Sequence, residues 1–193
     1  PLSYSVFQLY TGKNLDTVTQ VEQKESFNWL STDLERLTGA AYLAELVDAA
    51  IQENEKNQAP FLLILTCFHL FESIEPTLVI RCFEVKLLSI LGYAPQLEDC
   101  VNCNRVTKGE KQYFSIELGG ILCSECRYND PECLTVRMGT LATMNYLMKA
   151  DLRKLSRLKI PKPVAGELEQ VVKRFLSAKL EKRFKSLDLL SKL

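Results

Sequence analysis

The 193-residue chain has one histidine, His69, and one tryptophan, Trp29. Any histidine-based triad would have to use that single imidazole. His69 sits within the strongly apolar stretch from Pro60 to Phe71, so the sequence predicts a satisfied imidazole inside a core helix rather than a catalytic base. Neither Gly-x-x-x-x-Gly-Lys nor Gly-x-Gly-x-x-Gly occurs, and Gly119-Gly120 lacks a following helix start, so no phosphate cradle is available for nucleotide hydrolysis. The acidic residues Glu22, Glu25, Asp33, Glu35, Glu45 and Asp48 are scattered, which gives paired-carboxylate chemistry no positive support. No apolar run approaches the roughly twenty residues of a membrane span, and no secretory signal is recognisable. These absences describe a non-enzymatic binding protein.

Hydrophobic residues make up 47% of the chain, enough to bury a sizeable core in one or two domains. The net formal charge is zero, but it is unevenly placed. Lys149 to Leu193 holds thirteen Lys or Arg against five Asp or Glu, net +8, and the preceding residues carry net −8. Such polarity fits a polyanion or an acidic peptide as partner of the C-terminal part, and equally a solvated helical face.

The first stretch alternates as strands, with Tyr4, Val6, Leu9 and Tyr10, a turn at Gly12-Lys13-Asn14, then Leu15 to Val21. A lone hairpin needs something to pack on. Helices then dominate. Thr32 with Glu35 reads as a capping box for a helix from about Asp33 to Asn54, a second helix is expected from Pro60, and a third from Pro76 to Gly92. Gln112 to Ile116 alternates as a strand, with Gly119-Gly120 turning back into Ile121-Leu122. Leu141, Met144, Leu147 and Met148 mark a further helix, and after a break at Pro161 and Pro163 an amphipathic helix is expected from about Gly166 to the end. Phe27, Trp29 and Tyr42 have the chemistry to stack on bases, yet their places beside or on the first helix favour packing.

Seven cysteines are present, and four stand as pairs, Cys100-Val-Asn-Cys103 and Cys123-Ser-Glu-Cys126, with nineteen residues between the inner two. Two such turns aim four sulfurs at one point, the set that tetrahedral zinc prefers. With four thiolates no coordination position stays open, so one Zn2+ is expected as a structural ion. A redox dithiol and a pair of disulfides are the competing readings. The odd cysteine count, with Cys67 and Cys82 in apolar stretches, speaks for a reducing, cytoplasmic compartment. Cys133 is expected as a bystander.

The order of these parts resembles the bacterial recombination mediator family RecO. The likeness rests on Leu9-Tyr10-Thr11-Gly12 to Glu22, Ala40-Ala41-Tyr42-Leu43-Ala44-Glu45-Leu46, Phe83-Glu84-Val85-Lys86-Leu87-Leu88 with Leu91-Gly92-Tyr93-Ala94-Pro95, the two cysteine pairs with Gly119-Gly120, and Leu180 to Leu190. Asn104 departs from the glycine common in that family after the second cysteine, and asparagine also tolerates a left-handed backbone. The resemblance implies a mainly α fold: a helical bundle domain with an inserted four-cysteine, zinc-ribbon-like knuckle, preceded by the remnant of an oligonucleotide-binding (OB) β-barrel whose first strands lie upstream of Pro1. Residues 1–24 would be the last OB strands, 25–193 the helical domain, and 95–133 the inserted zinc module.

The same resemblance implies a cytoplasmic, nucleoid-associated protein that binds single- and double-stranded DNA and promotes annealing. With a RecR-like protein it would load recombinase, touching the acidic C-terminal tail of single-stranded-DNA-binding protein. An acidic tail ending in apolar residues needs a greasy groove with basic rims. Candidates for phosphate or acidic-tail contacts are Arg153, Lys154, Arg157, Lys173, Arg174, Lys179, Lys182, Arg183 and Lys185. The alternatives are a zinc-stabilised protein-interaction scaffold without DNA binding, and a thiol oxidoreductase using Cys100 or Cys103.

Overall fold

The computed structural model describes residues 2–51, 56–107, 109 and 111–180. The mainly α architecture expected from the sequence is what it shows, with small sheets at the N-terminus and around the cysteines. Strands β1 (Ser3–Tyr10) and β2 (Thr17–Ser26) pair antiparallel, from Tyr4 opposite Glu25 to Tyr10 opposite Thr17. The second strand runs five residues beyond the expected Val21. Val6, Phe7, Leu9, Val18 and Val21 are all exposed on this hairpin. Its root is anchored: the Phe27 amide donates to the Leu2 carbonyl at 3.0 Å, and the Tyr4 ring meets Phe61 edge-on at 5.2 Å.

Five helices follow: α1 (Leu34–Ala50), α2 (Gln58–Leu70), α3 (Pro76–Ile90), α4 (Met138–Lys149) and α5 (Lys162–Leu180). The expected capping box at Thr32 is replaced by Asp33, whose carboxylate accepts the Arg36 amide at 3.1 Å, while the Thr32 hydroxyl donates back to Trp29 O. Helix α1 ends at Ala50, short of Asn54, which lies outside the described residues. Helix α2 starts two residues before Pro60 because Asn57 caps it, accepting the Ala59 amide. Helix α3 opens at Pro76 and closes through Gly92 at φ +81°, with the Gly92 amide on Ser89 O and the Tyr93 amide on Leu88 O. Helix α5 starts at Lys162, so Pro163 lies in its first turn rather than in the break before it.

Helix α3 is the centre, touching α1, α2, α4 and α5. Val79, Cys82, Phe83, Val85, Leu87 and Leu88 are fully buried along it. Gly39 lets α1 approach, since a Cβ there would come within 3.1 Å of both Ile80 and Phe71 side-chain atoms. The helices are also tied by charge. Glu84, with no exposed surface, accepts the Tyr42 hydroxyl at 2.7 Å and meets Arg81 Nη1 at 2.7 Å. His69 is not the core imidazole the sequence implied. It sits on the outer face of α2, half exposed, with Nε2 3.3 Å from the Glu25 carboxylate and its ring on Phe27. The apolar face of α2 is carried by Leu63, Cys67 and Phe68, which leaves position 69 outside.

Between α3 and α4 the chain builds a three-stranded antiparallel sheet in the order β4-β3-β5, from β3 (Lys111–Ser115), β4 (Gly120–Leu122) and β5 (Leu134–Arg137). The third strand was not expected. It pairs Phe114 with Leu134 and Lys111 with Arg137. The turn uses Gly119 at φ +76°, and Gly120 lies so close to the chain at Gln96 that a Cβ would be 2.5 Å from its carbonyl oxygen. Phe114 packs edge-on against Phe175 of α5 at 5.6 Å, and Lys179 donates to the Glu117 carbonyl at 3.2 Å.

Candidate metal centre and neighbouring charged surfaces

The first cysteine turn is closed by backbone bonds, the Cys100 amide to Arg105 O at 2.9 Å and the Asn104 amide to Cys100 O at 2.8 Å. Asn104 takes φ +57°, the left-handed conformation that asparagine was expected to tolerate. The second turn repeats the device, the Cys126 and Arg127 amides both reaching Cys123 O. The Sγ atoms of Cys100, Cys103, Cys123 and Cys126 all lie within 4.8 Å of one another, and Cys103 and Cys123 are 3.8 Å apart. Sulfurs bound at about 2.3 Å around a tetrahedral zinc are separated by about 3.8 Å, so the donor set fits that geometry.

The electrostatics point the same way. Burial pushes the Cys100 thiol up, but amides of Cys123, Asn102 and Cys103 donate to its sulfur and hold it at about 6. Against the pull of the Asn102 amide, the neighbouring cysteines, Cys123 foremost, hold Cys126 up at about 12. One thiolate is easy here and four are not, unless a cation joins them. Cys67 and Cys82 contrast with this cluster. Both are fully buried in the bundle, and loss of hydration raises both thiols, Cys82 to about 11. Cys133 stays outside the four, its thiol directed at Arg127 O.

The structure divides the basic candidates. Lys173 pairs with Glu169, which also lies 3.9 Å from Arg81, and Lys179 is bound to Glu117 O while lying over Phe175. Arg153 sits 3.4 Å from Asp151 and stays almost fully exposed. Lys154, Arg157 and Arg174 are exposed. Lys182, Arg183 and Lys185 lie outside the described residues. The 3-10 turn Leu152–Arg157 leads into Leu158, Lys159 and Ile160, which line a cleft of about 460 Å³ between α3 and α5. Its walls include Leu78, Leu158, Ile160 and Leu168, with Arg81 and Lys159 as cations and Glu75 and Glu169 as acids. Arg81 and Lys159 were missed by sequence reasoning. A charged residue on the buried face of α3, three residues before a glutamate, was the available signal for Arg81; Lys159 had none beyond its neighbours. Phe27 and Tyr42 are buried and Trp29 is half-buried, as packing predicted.

The fold is a helical bundle with a four-cysteine ribbon insert that could hold a metal ion, and with a cleft lined by apolar and charged side chains. Among the described residues no helix is long and apolar enough to cross a membrane. Residues 31–188 match the family described as Recombination protein O C terminal. The DNA repair protein RecO of Symbiobacterium thermophilum is 38% identical over 190 residues, covering 96% of this chain and 75% of that protein. Those of Desulforamulus reducens and Moorella thermoacetica are 34% and 38% identical, covering 100% and 96% of this chain and 75% and 70% of theirs. The chain belongs to the RecO family of DNA repair proteins.

Proposed function

We propose that this chain acts as a non-catalytic recombination mediator in the bacterial cytoplasm, at the nucleoid. It binds single- and double-stranded DNA, promotes annealing and, with a RecR-like protein, loads recombinase onto strands covered by single-stranded-DNA-binding protein. Cys100, Cys103, Cys123 and Cys126 hold one Zn2+, which supplies a cross-link in place of an apolar core. Residues 1–24 are strands of an OB-like unit, supported by the apolar side chains the hairpin exposes. Residues 25–193 form the helical domain, with 95–133 as its zinc module.

The observation that carries this reading is the apolar cleft beside the basic turn. An acidic tail that ends in apolar residues would place its terminal side chains against Leu78, Leu158, Ile160 and Leu168. Its acids would lie along Arg157 and Lys159, and its terminal carboxylate would face Arg81. DNA phosphates would meet Arg153, Lys154, Arg157 and Arg174, with Lys182, Arg183 and Lys185 as further candidates.

The test is fluorescence anisotropy with the tail peptide and, separately, with labelled oligonucleotides across a salt series. Leu158→Asp should abolish peptide binding and leave DNA binding in place. Reversal of Lys154 and Arg157 to Glu should weaken DNA binding and flatten its salt slope. Peptide binding indifferent to Leu158→Asp would remove the cleft from the proposal. Salt-insensitive DNA binding would favour the alternative of a zinc-stabilised scaffold that serves only protein partners.

A further inference from the structure

Two side-chain links cross from one cysteine turn to the other. Asn102, between the first two cysteines, donates from Nδ2 to Cys126 Sγ at 3.3 Å. Arg105, just after the first turn, meets the carboxylate of Glu125 in the second at 2.6 Å. Asn102 is exposed, and the Arg105 and Glu125 side chains are about two-thirds and three-quarters exposed, so none of the three supports the bundle by burial. Four thiolates around a divalent zinc leave a net charge of −2, which amide donors and nearby cations must offset.

We infer that Asn102, aided by the Arg105–Glu125 pair, is a positioning residue for the metal: it joins the two turns and sets how long the ion stays. An N–H aimed at a coordinated sulfur withdraws charge from it, which lowers its repulsion with the other three. The guanidinium of Arg105 adds positive charge toward Cys103 and Cys123, and Glu125 fixes its direction. The Arg105 link is open to solvent and weak, so Asn102 carries the larger share.

This inference rests on the four-cysteine zinc reading, and the experiment separates the two. The purified full chain is loaded with zinc, and release is followed with a chromophoric chelator. Asn102→Ala should release zinc about tenfold faster than the parent chain. Asn102→Asp keeps the size but sets a negative charge against sulfur, so it should release faster still. Arg105→Ala should accelerate release by about twofold or less, and the difference should vanish in high salt. Cobalt loading gives a second readout: the sulfur-to-metal charge-transfer bands should shift in Asn102→Ala, which loss of packing alone would not produce. Parental release rates and parental bands in both Asn102 variants would overturn the inference while leaving the zinc reading intact. A parent chain that takes up no zinc would overturn both.

Discussion

The bundle and the ribbon solve the same problem by different means. Around α3 the chain buries a continuous set of side chains, from Phe27 to Leu176, which takes in Phe114, Ile121 and Val136 of the sheet. The cysteine end of the ribbon has a core of only Cys100, Leu122 and Cys126. So small a core cannot offset the entropy of ordering two turns. Cysteine means opposite things in the two places. Cys67 and Cys82 serve as small apolar side chains, whereas the ribbon sulfurs face one another in a cluster that could hold a metal ion. The ribbon still leans on the bundle, through Phe114 on Phe175 and Lys179 on Glu117 O.

The comparison breaks most sharply under metal removal. Binding energy at a structural four-thiolate site is on the order of 10 kcal/mol or more, and most of it is folding energy for the turns. Chelation should therefore collapse the ribbon signals in an NMR spectrum while far-UV circular dichroism keeps the helical signal. Iodoacetamide should then modify the four ribbon cysteines at pH 7 and reach Cys67 and Cys82 only on global unfolding. Loss of the helical signal along with the ribbon would mean that the two regions form one cooperative unit.

The reverse test truncates the core. Phe83→Ala, at a fully buried position on α3, should cost about 3–5 kcal/mol, read as a lower urea midpoint. The native fraction should still hold its zinc. If that variant released zinc while its helices stayed folded, the bundle would be supporting the cysteine turns through the sheet residues it buries, Phe114, Ile121 and Val136.

A smaller effect concerns the buried Tyr42–Glu84–Arg81 set, which the ribbon has no counterpart for. Tyr42→Phe removes the donor to Glu84 and should cost about 1–3 kcal/mol. Burial pushes the Glu84 carboxyl above its ordinary range, and Arg81 and Tyr42 only partly pull it back. The folded chain thus keeps a proton there that the unfolded chain releases. Stability from this group is full below the unfolded carboxylate value and lost as pH rises through the folded one. Urea midpoints across that window should fall with rising pH in the parent chain and flatten in Glu84→Gln. An unchanged slope in the variant would place the pH dependence elsewhere.

The clustering of the four cysteines was legible in the sequence because their spacing is local and chemically narrow. So were Pro76 and Gly92 as the ends of α3, where each residue's own backbone preference does the work. The start of α1 was not, because Thr32 and Asp33 both cap well and only the geometry chose Asp33. Strand β5 escaped because four residues, Leu134 to Arg137, alternate too briefly to stand out, and the strand exists through its pairing with β3. His69 misled because α2 is apolar over most of its length, so composition could not tell its inner face from its outer one.

By itself the sequence determined that four cysteines converge, that helices dominate between the N-terminal hairpin and the ribbon, and that positive charge gathers toward the C-terminal end. These follow from spacing, periodicity and counting, which need no neighbours distant in the chain. Only the tertiary structure decided which of the basic residues face outward, since Lys173 and Lys179 are held by Glu169 and Glu117 while Arg157 is exposed beside the cleft. It alone brought Leu78 and Arg81 on α3 to Leu158, Ile160 and Leu168 on the far side of the ribbon in sequence. A cleft is made of contacts between segments that local preference does not relate, and those contacts exist only once the bundle has closed.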